Sequence, residues 1–198
     1  MNINKFILLG ITMLLITSCQ KDVVIKAKDT IDITNWQLDV TESHFSFVTI
    51  KNKNHAEENT IDFAQGSIDE LGNLSLSLDL ASVDTIIERR NERLRDILFE
   101  VEQYPEATIK TTLTRDLPLN SPVEVEFELS LHGVTKKMKA LVMIQKAGQQ
   151  LVVINYEPVL VNGKDFNLDA AINQLTQIAG LQSINYEVLT DFKLTFGK

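Results

Sequence analysis

The chain has a single cysteine, Cys19, only four prolines and only three histidines in 198 residues. A lone cysteine cannot close an internal disulfide or belong to a cysteine cluster. His44, His55 and His132 are scattered without ligand spacing, which argues against a metal centre. No Gly-x-Ser-x-Gly elbow, His-Glu-x-x-His pair or glycine-rich phosphate loop occurs, so the sequence offers no recognisable catalytic machinery. The acid pair Glu57-Glu58 lies in a polar stretch with nothing to exclude water and raise a pKa. No run approaches the eighteen or so apolar residues that cross a bilayer as a helix. The formal net charge of −8 opposes binding to nucleic acid, whose phosphates demand the other sign. An enzyme is therefore not expected, and no cofactor is implied.

What is present begins with a leader. Lys5 precedes a mostly apolar run from Phe6 to Ile16, too short for about 30 Å of hydrocarbon but suited to a signal-peptide core. It ends in Ile16-Thr17-Ser18-Cys19, which resembles a bacterial lipobox, where a small residue precedes the cysteine that is lipidated and becomes the mature N-terminus. The expected organisation is a signal peptide over 1–18, a lipidated tether over 19–33 and one domain over 34–198. Two or three acyl chains on Cys19 would hold the protein firmly to a membrane. Gln20 after the cysteine is compatible with the outer membrane, as the resemblance to sorted lipoproteins implies. The domain is expected in the cell envelope, on the periplasmic side or at the cell surface.

The rest of the chain is organised around Leu74 to Pro105. Leu74-Ser75-Leu76-Ser77-Leu78-Asp79-Leu80 alternates without a slip, the period-two signature of a strand with one buried face. Leu94, Ile97, Leu98 and Val101 then fall on one stripe of a helix expected from Asn91, as N-cap, to Tyr104, stopped by Pro105. Between strand and helix lies a charged corner containing Asp84, Glu88, Arg89, Arg90, Glu92 and Arg93.

Elsewhere alternation dominates. Trp36 to Ile50 reads as two strands or one bent strand, 51–59 as a polar loop, and Val123 to Leu131 as a strand whose outer face carries Glu124, Glu126 and Glu128. A short helix is expected from Asp169 to Ala179, ended by Gly180, and a last strand from Tyr186 to Phe196. Roughly eight strands at hairpin spacing favour an antiparallel barrel or a sandwich. A barrel of about eight strands is either just filled by side chains or holds one small ligand, and alternation alone leaves both open.

Several stretches together resemble the YceI-like family of exported bacterial proteins. They are Trp36-Gln37-Leu38-Asp39 with Ser43-His44-Phe45-Ser46-Phe47, then Ala81 to Thr85, Arg90 to Arg93, Leu98-Phe99-Glu100 and Tyr104-Pro105, and the turn Leu131-His132-Gly133-Val134-Thr135-Lys136. The likeness spans Trp36 to Phe196. It implies an all-β fold, an antiparallel eight-stranded lipocalin-like barrel with one or two short helices, and an apolar lumen for a polyisoprenoid or other long-chain lipid. The sequence departs from the family's usual Arg-Asp-x-His-Leu corner, reading Arg90-Asn91-Glu92-Arg93-Leu94, and lacks its Arg-x-x-Phe-Gly form near Asp165-Phe166.

The expected lumen residues are Phe45, Phe47, Phe63, Leu76, Leu78, Phe127 and Phe166. His44, Arg90, Asn91 and Arg93 are the head-group candidates, since a guanidinium at the lumen mouth can pair a phosphate or carboxylate through two hydrogen bonds. Ordinary readings stand beside these, with Arg90 and Arg93 paired to nearby acids and the apolar set packed dry. The expected function is a membrane-anchored protein holding an isoprenoid or fatty lipid for transport or storage, and the alternative is an interaction module with a filled barrel.

Overall fold

The alternation from Leu74 becomes strand β5 (Asn73–Asp79) in the computed structural model, which describes residues 35–114 and 117–198. Leu74, Leu76 and Leu78 are buried on one face and Leu80 continues into a short 3-10 turn, Leu80–Ser82. Antiparallel neighbours extend β5 on both sides: β4 (Phe63–Ile68) and β6 (Glu106–Thr112), followed by β7 (Pro122–Leu131), β8 (Val134–Ala147) and β9 (Gln150–Asn155). The last strand, β11 (Glu187–Gly197), pairs with β9 and also with β1 (Trp36–Leu38), which pairs with β4. These pairings close an eight-stranded antiparallel barrel.

Two further segments show how the barrel changes along its length. The second half of β11 lies between β1 and β9, whereas its first half lies between β2 (His44–Lys51) and β10 (Val159–Asn162). β1 with β2, and β9 with β10, therefore act as two long strands, each broken once. The first break is fixed by Asp39, whose carboxylate accepts from the Thr41 amide at 3.0 Å while its carbonyl accepts from the Ser43 hydroxyl at 2.6 Å. Sequence reading left two strands or one bent strand open here, and the chain forms two strands, β1 and β2, that follow one another along the same side of β11.

Around β10 the ring is not completed by strand pairing. β10 pairs only with β11, and the first half of β8 only with β7. The gap is filled by a 3-10 turn (Gly163–Phe166) and helix α2 (Asp169–Ile178), whose Phe166, Leu168 and Ile172 form a separate apolar cluster with Leu129 of β7. Helix α2 ends as expected at Gly180, which takes φ +65°.

Two sequence expectations are corrected. Residues 51–59 are not a loop: after a turn at 52–54 they form β3 (His55–Thr60), hairpinned onto β2. Its partly covered face carries Glu57 and Asn59 rather than aliphatic residues, so it left no hydrophobic period to read. The helix of the charged corner starts earlier, as α1 (Glu88–Arg93), and runs into a π-turn (Leu94–Leu98), where the Phe99 amide donates to the Leu94 carbonyl at 2.9 Å. Asn91 is consequently inside the helix and not its N-cap. A further stretch, to which no element is assigned above, supplies β10 and the 3-10 turn of the wedge that completes the wall.

Candidate functional site

The lumen has two parts. At the β2–β3 end a cavity of about 680 Å³ lies beneath α1, the π-turn and α2. Deeper in the barrel a second space of about 90 Å³ is lined by apolar side chains and Thr111. The inward residues of β2 trace the descent: Lys51 and Thr49 near the opening, then Phe47 and Phe45. At about 3.3 Å per residue, Lys51 to Phe45 is on the order of 20 Å along the strand. Leu78, Leu98, Phe99 and Ala107 form much of the apolar wall of the large cavity.

The opening is polar and cationic. Lys51, Arg89, Arg90 and Arg93 lie on its wall, against one carboxylate, Glu57. Lys51 and Arg90 both donate to the same oxygen of Glu57, and the second Nη of Arg90 donates to the Thr85 carbonyl. The Nε of Arg90 is buried and has no hydrogen-bond partner among the described residues. Hydrogen bonding from Lys51 first, with the charges of Lys51 and Arg90 added, holds the Glu57 carboxyl below its ordinary value of 4.5. Asn59 fixes the neighbouring rung by donating to the Phe47 carbonyl and the Thr49 hydroxyl, both at 3.3 Å. Arg89 and Arg93 form no ion pair among the described residues. The mouth of a net-acidic protein is thus locally positive, a field that favours an anionic group.

The loop before α1 is held hard in place. The Asp84 carboxylate accepts from the Ile86 amide at 2.7 Å, and the Asn91 side-chain oxygen accepts from the Thr85 amide at 2.8 Å. Ile86 is left with φ +68° and 91% exposed, an uncommon state for a β-branched residue. Ile87 follows it onto the cavity wall, and Ile178 faces the opening from α2.

The profile of the YceI-like domain family matches residues 30–196. The chain belongs to the YceI-like family. A polyisoprenoid binding domain from Saccharophagus degradans, implicated in plant cell wall breakdown, has a similar structure, with 32% identity, a TM-score of 0.76 and coverage of 82% of this chain and 97% of that one. BcnA of Burkholderia cenocepacia is similar at 17% identity and TM-score 0.61, over 80% of this chain and 98% of its own. The YceI protein of Campylobacter jejuni is similar at 15% identity and TM-score 0.51, over 95% and 99%. The last two likenesses concern the fold alone. No curated protein matches the chain.

Within this YceI-like barrel, Phe45, Phe47 and Leu78 line the large cavity, while Phe45, Phe63, Leu76 and Phe127 line the small one. Arg90 and Arg93 stand at the mouth. Three expected residues lie elsewhere. Phe166, 1% exposed, belongs to the wedge between β8 and β10 and lines neither cavity. His44 alternates with Phe45 on β2 and is exposed on the opposite face, cross-strand from Lys193. Asn91 is buried and spends its amide on Thr85, Asp84 and Glu88, which shapes the loop and leaves nothing for a ligand. Cys19 lies outside the described residues.

Sequence reading missed Lys51, Glu57 and Arg89 at the mouth. The only signal was a cluster of charge in two stretches separated by some thirty residues, and nothing in one dimension joins them. Among the described residues no group of three or more His, Cys, Asp or Glu side chains could hold a metal ion. No helix among them is long and apolar enough to cross a membrane.

Proposed function

We propose that this protein binds a long apolar lipid, an isoprenoid foremost, with its tail in the 680 Å³ cavity and an anionic or polar head at the arginine-lined mouth. The observation that carries the reading is an apolar chamber that opens at a cationic mouth on a net-acidic chain. Its volume falls within the roughly 300–1,000 Å³ of small-molecule sites. Each Å² of ligand surface it removes from water contributes about 25 cal/mol. The name of the Saccharophagus degradans relative, a polyisoprenoid binding domain, supports the same ligand class. The role in this reading is binding, in keeping with the ligand class that the relative's name gives.

In this reading Cys19 carries acyl chains and tethers the domain in the cell envelope, where it stores or carries its lipid. Trp36 joins the barrel beside Ile68, at the end away from the mouth. A fully extended 19–33 segment spans about 50 Å at 3.3–3.6 Å per residue, so the anchor leaves the barrel free to turn its mouth toward the bilayer.

The filled-barrel interaction module requires the whole lumen to be as closely packed as its deep half, and the mouth half weighs against it. The test is native mass spectrometry of the domain from Ile31 onward, purified from cells. An extra mass released on denaturation and identified as an isoprenoid or other long-chain lipid is expected. A bare chain, unchanged after incubation with extracted membrane lipids, would leave the interaction module as the better account.

A further inference from the structure

We propose that Phe45 is the stop that sets how long a tail this protein accepts, and that the small deep space is a reserve closed off by its ring. The proposal rests on the lipid-binding reading above and adds to it a length-determining residue. Among the described residues Phe45 is the one side chain on the walls of both the large and the small cavity. Its ring meets Phe63 edge-to-face, with centroids 6.3 Å apart and planes at 80°, so the partition is backed from the deep side. Beyond it the 90 Å³ space is walled by Leu76, Phe127, Ala140 and Ile144 among others. Phe45 sits on β2, whose register is fixed on both sides, to Phe192 of β11 and through the adjacent Ser46 to Thr60 of β3, so backbone shifts cannot readily swing the ring aside.

Chemistry and geometry agree on what this does. A tail descending from the mouth meets Lys51, Thr49 and Phe47 in turn and then Phe45. The space beyond is smaller than the about 150 Å³ that holds a six-carbon ring in an engineered cavity. Removing the phenyl group would join the two spaces and bring the added room past that size, enough for about one further five-carbon unit. A hydrocarbon tail gains its burial energy only where it fits, so the limit acts as a cut-off in length and not as a gradual loss.

The test uses the full chain as wild type, Phe45→Ala, Ala140→Leu and the double variant, each equilibrated with an equimolar mixture of polyprenols of graded length. After re-purification the retained prenols are extracted and identified by mass. Wild type is expected to retain prenols up to a sharp maximum length. Phe45→Ala should raise that maximum by about one isoprene unit. Ala140→Leu, which fills the reserve, should leave the wild-type maximum unchanged and cancel the gain in the double variant. An unchanged maximum in folded Phe45→Ala would overturn the stop, as would a lowered maximum in Ala140→Leu alone, since the tail would then already pass the ring. Should Phe45→Ala fail to fold, Phe45→Leu takes its place and the Ala140→Leu result still decides. Wild type retaining no prenol of any length would overturn the lipid-binding reading and the stop with it, whereas retention without a length shift overturns the stop alone.

Discussion

The two halves of the lumen are built from the same strands and the same alternation, yet one leaves about 90 Å³ between its side chains and the other about 680 Å³. In the deep half, eight paired strands surround the axis, and Phe63, Phe127, Phe192, Leu194 and Ile144 line the narrow space left around it. In the mouth half the ring of pairings is broken between β8 and β10, and a wedge and helices stand in for a strand. Inward positions there are also smaller or polar: Thr49, Asn59, Ala107, Gly163 and Thr190. The difference teaches that an apolar inward face does not make a cavity. A cavity needs a wall held apart by something other than the side chains that face it.

That contrast can be broken most severely at the wedge. Phe166→Ala removes a side chain 1% exposed that bridges α2 to β7, and should cost about 3–5 kcal/mol. Denaturant unfolding followed by the fluorescence of Trp36, the only tryptophan, measures it. If the wedge holds the mouth open, lipid retention is lost together with stability.

The sharper comparison lies within β5. Leu76 and Leu78 share a strand, a face and near-complete burial, at 4% and 3% exposure. Leu76→Ala in the deep half leaves a new void and should cost about 3–4 kcal/mol, while Leu78 already faces open space, so Leu78→Ala should cost about 2 kcal/mol. Equal losses, measured in the same unfolding experiment, would mean that the mouth half is as tightly packed as the deep half.

A smaller effect is expected from Glu57→Gln, which takes from the mouth the only carboxylate among the described residues and leaves Lys51 and Arg90 without it, at about 1–2 kcal/mol. The folded pKa of Glu57 is lowered, so its contribution is fully present above the unfolded value of 4.5 and is lost as pH falls through the lower folded value. The wild-type and variant melting temperatures should differ at pH 7 and converge as the pH is taken well below 4.5. A constant gap across that range would assign the effect to lost packing. The same variant should bind an anionic lipid more tightly than wild type, because both cations are freed.

The smallest expected change has the opposite sign. Ile86 is strained at φ +68° and 91% exposed, so Ile86→Gly removes strain and almost no buried surface. A stabilisation of about 0.5–1 kcal/mol is expected by thermal unfolding. A destabilisation would reveal that the side chain packs on something in solution.

Much of the barrel was legible because each buried strand carries its address in a period of two. The leucines of β5, the glutamate-faced β7 and the final strand all fold where their alternation puts them. β3 escaped because its partly covered face is polar, and polar lining residues carry no hydrophobic signal. α1 and the π-turn shifted from the expected helix because the buried hydrogen bonds that the Asn91 side-chain oxygen accepts from the amide and hydroxyl of Thr85 outweighed its preference for a helix terminus. Phe166 was placed on the right kind of surface and the wrong one of two: burial was readable, but not against what.

By itself the sequence determined which side is inward in each strand that alternates apolar with polar residues, since successive side chains point to opposite faces regardless of what lies opposite. Only the tertiary structure decided whether opposite walls touch. That separation depends on where strand pairing stops and a helix intervenes, which are contacts between residues far apart in the chain. The same holds for the mouth, where Lys51, Glu57 and Arg90 become one charged site only when β2, β3 and α1 are folded together.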